Sequence, residues 1–137
     1  MKEAISTPAS PTPIGPYSQG LRTETLILVS GQGPLDQEVG RMPDGIEAQT
    51  HQVLRNIRSI LEAGGSSMND VVKVTAHVAD VADFGAFNRV YAEYFRPPYP
   101  VRTTVGSQLL GILVEVDVIA ARPAEWPASG AADWGPR

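Results

Sequence analysis

One guanidinium and two carboxylates, set in neighbouring apolar runs, are the residues of this chain best suited to chemistry. Arg102 stands in Pro100-Val101-Arg102-Thr103-Thr104-Val105, and Glu115 and Asp117 stand in Ile112-Leu113-Val114-Glu115-Val116-Asp117-Val118-Ile119-Ala120. Both runs read as strands. The Gly- and Leu-containing loop between them predicts an antiparallel hairpin that brings Arg102 near Glu115. A fixed guanidinium can clamp the carboxylate of a small acid through two parallel hydrogen bonds, and a neighbouring carboxylate can hold or activate a water. The plainer alternative is a solvated ion pair, common on surfaces and weak. Against it, Leu113 and Ile119 flank the acids on one strand face, and Pro100 and β-branched neighbours restrict Arg102. In such a half-buried setting an idle charge is costly.

Four further positions could serve the same site. Tyr17 follows a Gly15-Pro16 turn that can project its phenol into a cleft, although an ordinary half-buried strand tyrosine fits equally well. Ser30-Gly31 closes an apolar run, and glycine there lets a ligand approach the backbone. Asn88 falls on the apolar stripe of a predicted helix, where a buried amide needs partners, a neighbouring loop being the commoner one. Other chemistries fail on spacing. His51 and His77 are the only histidines and form no metal-ligand pattern, so no metal is expected. Gly31-Gln32-Gly33 has Asp36 where a dinucleotide fingerprint needs its third glycine, and no phosphate-binding loop or G-x-S-x-G elbow occurs.

The elements that must carry these residues are legible in the periodicity. Residues 1–13 read as an irregular lead-in, Tyr17–Thr23 as a short strand and Leu26–Ser30 as a central strand ended by Gly31-Gln32-Gly33-Pro34. Asp44 is the expected N-cap of a helix with Glu47 at N3; Ile46, Thr50, Val53, Ile57, Ile60 and Leu61 form its stripe, and Gly64-Gly65 stops it. Val71–Ala79 alternates as a strand with one core face. Asp83 is expected to cap a second helix with Phe84, Phe87, Tyr91, Tyr94 and Phe95 on its apolar face, ended by Pro97-Pro98. The order β-β-α-β-α-β-β gives an α+β layer, two helices on one face of a mixed sheet. The opposite face, carrying Thr, Val, Lys and Glu, suits neither bulk water nor a closed core, so self-association is expected.

The 137 residues fit one domain over 1–122, with 123–137 an irregular C-terminal tail in which Trp126 and Trp134 dock on a surface. A hydrophobic fraction of 42% and a charged fraction of 19% are those of a globular protein. The net charge of −4 and the lack of a basic block argue against nucleic-acid binding. No cysteine is present, which excludes disulfides and thiol chemistry and fits a cytoplasmic location. The start, Met1–Ser6, lacks a signal-peptide core, and no apolar run is long enough for a membrane span.

Ile14-Gly15-Pro16-Tyr17-Ser18-Gln19, Ser30-Gly31-Gln32, Val72-Lys73-Val74-Thr75, Asn88-Arg89-Val90-Tyr91, Pro100-Val101-Arg102-Thr103 and Val114-Glu115-Val116 together resemble the Rid (YjgF) family of reactive intermediate deaminases, over about residues 5–121. The resemblance implies a chorismate-mutase-like α+β fold and a homotrimer with clefts between subunits. It implies hydrolysis of 2-imino or enamine acids, as by 2-iminobutanoate/2-iminopropanoate deaminases, to 2-oxo acids and ammonia, without cofactor or metal. Arg102 matches the arginine that binds the substrate carboxylate, and Glu115 the acid that positions water. Tyr17, Ser30 and Gly31 match pocket residues and Asn88 a supporting polar residue. Thr104 stands where the family often has Cys, Gly33 replaces an aliphatic residue, and the loop from Arg102 to Glu115 is shorter and lacks a Leu-Pro-Lys segment. Those departures bear on substrate choice. They leave room for a deaminase or hydrolase of a larger enamine, or for a non-enzymatic trimer that binds a small carboxylate. Ribonuclease or translation inhibition, also attributed to the family, is disfavoured by the acidic balance.

Overall fold

In the computed structural model, residues 1–122 are described; the expectation for 123–137, Trp126 and Trp134 included, lies outside the described residues. The chain order is β1 (Glu3–Ile5), β2 (Gly20–Arg22), β3 (Leu26–Gln32), α1 (Ile46–Ala63), β4 (Val71–Val78), α2 (Phe84–Tyr91), β5 (Val101–Gly106) and β6 (Val114–Ala121). The strands form one six-stranded sheet in the order β1-β2-β3-β6-β4-β5. Among the described residues only β4 and β5 pair in parallel, because α2 connects them as a crossover. Two helices therefore cover one face of a mixed sheet, as expected.

The stripe on α1 makes the core. Val53, Leu54, Ile57, Ile60 and Leu61 are fully buried. They meet Val114, Val116, Val118 and Ala120, the helix-facing residues of β6. Period-two alternation leaves Glu115, Asp117 and Ile119 on the opposite, helix-free face of that strand. Burying each of the Val, Leu and Ile side chains stabilises the fold by about 1.5–3 kcal/mol, so the register of β6, and with it the placement of Glu115, is strongly fixed.

Four local expectations are corrected. The irregular lead-in contains β1, whose Ile5 pairs with Gly20 and enters the core. Asp44 does not cap α1: Gly45 is the N-cap, at φ 88°, a conformation that glycine adopts without strain, and no side chain bonds the free amides. Gly64-Gly65 does end the helix, Gly65 at φ 86°. Asp83 makes no capping hydrogen bond. Asp80 instead accepts from the Ala82 N–H and caps the single turn Val81–Asp83 that leads into α2. The regular part of α2 ends at Tyr91, ahead of Pro97-Pro98; Phe87, Tyr91 and Phe95 reach the core, whereas Phe84 is 45% exposed.

The predicted hairpin between the Arg102 and Glu115 strands does not form. β4 lies between them, parallel to β5 and antiparallel to β6. The loop Ser107–Leu113 steps across the end of β4, tied there by the Ser107 N–H to Val78 O and the Ala79 N–H to Leu113 O bonds. Two strand spacings are about 10 Å, a gap that a loop of this length spans easily. The apolar helix-side face of β6 claims an inner position, and β5, with no fully buried residue, takes the edge.

Candidate functional site

The structure separates the two residues that the sequence draws together. Arg102 pairs in register with Val74, and laterally paired residues share a sheet face, so it points toward the helices. Glu115 pairs with His77 on the helix-free face. Within one chain, Arg102 and Glu115 lie on different strands and opposite faces.

Arg102 is held by α2. Its guanidinium carbon lies 4.6 Å from the ring centre of Tyr91, 5.4 Å from that of Phe87 and 5.7 Å from that of Phe84. These rings restrain the side chain through cation–π contact. Nη2 donates to Asn88 Oδ1 at 2.8 Å, so the polar residue on the apolar stripe finds its partner across the helix–sheet boundary rather than in a loop. Burial raises the pKa of Tyr91 above the ordinary tyrosine value, and nearby Arg102 partly offsets the rise. Among the described residues Arg102 forms no ion pair. Two positions along the same face of β5, the hydroxyl of Thr104 is buried without a hydrogen-bond partner. A half-buried cation with no anion, beside an unpaired hydroxyl, is an arrangement that an incoming carboxylate would complete.

Glu115 belongs to a cleft of about 650 Å³ on the other face, with Tyr17, Gly31, His77, Ser107 and Ile112 among its lining. A bulge makes room for it. Between the pairs Val29–Val118 and Gln32–Val116, β3 has one residue more than β6. Gly31 falls in that bulge, directly beneath the carboxylate: a Cβ there would stand 2.6 Å from Glu115 Oε2. Gly31→Ala is therefore expected to displace the flexible carboxylate and leave the sheet intact. Any turnover that depends on this carboxylate should fall at least about tenfold while stability changes by less than about 1 kcal/mol; unfolding curves and steady-state kinetics read the two separately.

Tyr17 is half-exposed on the rim, its hydroxyl accepting from the Ile14 N–H at 3.3 Å. Its loop is anchored by Gln19, a buried residue that sequence reasoning missed. The Gln19 amide donates to the carbonyls of Thr7, Ser10 and Pro11 and accepts from the Thr7 N–H. Ser30 is occupied structurally, donating to Ser18 O at 2.5 Å. With Tyr17 it lines an adjoining concavity whose lining does not include Glu115. Two site residues escaped the sequence altogether: His77 and Ser107, whose Nδ1 and Oγ are 2.7 Å apart. They are remote in sequence and meet because β5 lies parallel to β4. Burial raises the pKa of Asp117, two residues from Glu115 on the same face, against the lowering effect of His77 and then Lys73. Among the described residues no group of three potential metal ligands occurs, and no helix is long and apolar enough to cross a membrane.

Known proteins are similar to this chain in sequence and in fold. The family model described as Endoribonuclease L-PSP matches residues 7–122. A RutC family protein of Pyrococcus horikoshii is 46% identical over 123 residues, covering 88% of this chain and 98% of that protein. The 2-iminobutanoate/2-iminopropanoate deaminase of Mus musculus is 38% identical over 125 residues, 89% of this chain and 93% of that one. Among solved structures, TdcF of E. coli with bound serine is similar at a TM-score of 0.84 and 33% identity, over 88% of this chain and 98% of the other.

Proposed function

The chain belongs to the Rid family, also called endoribonuclease L-PSP, and from that premise we propose that it hydrolyses small 2-imino or enamine acids to 2-oxo acids and ammonia. The sites are clefts between the subunits of a homotrimer, each formed by Arg102 of one copy and Glu115 of the next. The carrying observation is the opposite-face geometry. Arg102 lies on edge strand β5, and Glu115 on an open face that also exposes Val101 and Val105. Docking that face of one copy against the β5 edge of another would bury the apolar surface and bring cation and acid together.

The reaction asks little more. The imine carbon is electrophilic, increasingly so once its nitrogen is protonated. Arg102 grips the substrate carboxylate through its fork, with Asn88 and the three rings fixing the guanidinium and the Thr104 hydroxyl donating to the same carboxylate. Tyr17 and the Gly31 backbone border the reacting carbon, and Ser30 holds the Tyr17 loop. Glu115 places a water near attack distance and takes its proton; the resulting carbinolamine collapses with loss of ammonia. No covalent nucleophile and no cofactor enter. The bound serine of the E. coli relative supports a small amino-acid-like carboxylate as ligand.

The test is an imine-hydrolysis assay in which an amino-acid oxidase generates 2-imino acids of increasing side-chain size. Accelerated formation of 2-oxo acid, abolished by Arg102→Ala, supports the reading. Binding of small carboxylates without acceleration of any imine would assign a non-enzymatic role instead. The larger members of the panel address the shortened loop, since a preference for them marks a deaminase of a bulkier enamine. The net charge of −4 favours small-molecule chemistry over RNA cleavage.

A further inference from the structure

We propose that His77 is a second catalytic residue of the Glu115 cleft, a proton donor to the substrate nitrogen, and that Ser107 is its positioning residue. The inference rests on the deaminase reading and adds a group that the reading does not require.

Imine hydrolysis moves protons at two places. Water loses one as it attacks carbon, and nitrogen gains two before it leaves as ammonia. One carboxylate can shuttle these protons in sequence, but a carboxylate and an imidazolium side by side can move them together. His77 and Glu115 are that pair. They are cross-strand partners in the antiparallel β4–β6 ladder, on the same face and in the same cleft. Such partners have Cβ atoms about 5 Å apart, so both side chains can reach one small substrate.

Ser107 fixes the ring. Nδ1 lies 2.7 Å from Ser107 Oγ; in the imidazolium both ring nitrogens carry protons, so Nδ1–H donates to the hydroxyl and Nε2 is the nitrogen left to exchange protons. Among the described residues the hydrogen bond of the ring is made through Nδ1. The charged groups facing the ring are Glu115 and Asp117 from β6 and Lys73 on its own strand; Tyr17 borders the cleft from its loop, and β3 contributes uncharged Gly31 and Gln32.

The steps balance. Glu115 takes a proton from water as the oxygen bonds to the imine carbon, the C=N π pair moves to nitrogen, and His77 Nε2 protonates that nitrogen. The carbinolamine then faces a neutral His77 and a protonated Glu115. Glu115 returns its proton to nitrogen, the C–N bond breaks as ammonia leaves, and the hydroxyl proton passes to His77 as the carbonyl forms. Both groups end as they began.

The test compares His77→Phe, His77→Gln and Ser107→Ala with Arg102→Ala in the imine assay, each checked for assembly by light scattering. Glutamine keeps a polar group toward Ser107 should phenylalanine disturb the fold. The expected result is a fall in kcat of about 10²-fold for either His77 variant, with KM within about twofold. The ionisation that the imidazole contributes to the kcat profile should vanish in the His77 variants. Ser107→Ala should keep that ionisation and lose about tenfold in kcat. Parental turnover in assembled His77 variants, with Arg102→Ala inactive, would overturn the proposal and leave the deaminase reading standing. So would slower turnover with the ionisation intact, since a structural role predicts that. If Arg102→Ala is also fully active, the reading itself has failed and this proposal falls with it.

Discussion

Arg102→Ala is expected to lower kcat/KM by about 10²–10³-fold without dismantling the fold. The fork makes two charge-assisted hydrogen bonds to the substrate carboxylate, each worth about 1.5–3 kcal/mol, and every 1.4 kcal/mol is tenfold in rate. Folding loses little, because Arg102 neutralises no carboxylate among the described residues and its removal frees Asn88, itself half-exposed, to meet water. Arg102→Lys should recover less than about a tenth of the loss. An ammonium restores a point charge, but it has neither the two parallel donors nor the flat face that lies 4.6 Å from the centre of Tyr91. Full activity in the lysine variant would mean that charge alone suffices, and the fork would drop out of the mechanism.

Glu115→Gln is the second large effect, and its signature differs. The amide has nearly the same shape above Gly31, so substrate binding should persist with KM within about threefold. It cannot take a proton from water, so kcat should fall by about 10²–10³-fold. The reverse pattern, a raised KM with kcat preserved, would make Glu115 a contact to the bound substrate rather than the handler of the water. Measured together, the two variants divide the labour: Arg102 carries recognition, and Glu115 carries turnover.

The parts of this site that the sequence made legible are those fixed by local periodicity. Alternation along β6 put Glu115 and Asp117 opposite Val114, Val116 and Val118, and helical spacing on α1 put Val53, Ile57 and Ile60 in the core. What it hid depends on which strands become neighbours. Arg102 and Glu115 looked like hairpin partners because a short loop joins their strands, but β4 pairs with both and lies between them. The same parallel pairing joins His77 to Ser107, and no short motif records it. Asn88 was visible as an amide on an apolar stripe, yet its partner emerged only once α2 was packed beside β5. Capping signals misled for a related reason: Asp44 precedes a glycine whose positive φ starts the helix, and Asp80 rather than Asp83 does the capping nearby. The family resemblance supplied what no periodicity could, a reason to expect clefts between copies.

Mixed oligomers give the most direct test of whether each site is shared. Arg102→Ala and Glu115→Gln chains, carrying different tags and each inactive alone, are refolded together, and the doubly tagged assemblies are isolated. In a cyclic trimer of the two chains, one interface in three pairs an intact Arg102 with an intact Glu115, so about one third of the activity of the unsubstituted protein should return. Doubly tagged assemblies as inactive as their parents would contradict the shared site and show that both residues must act from a single chain.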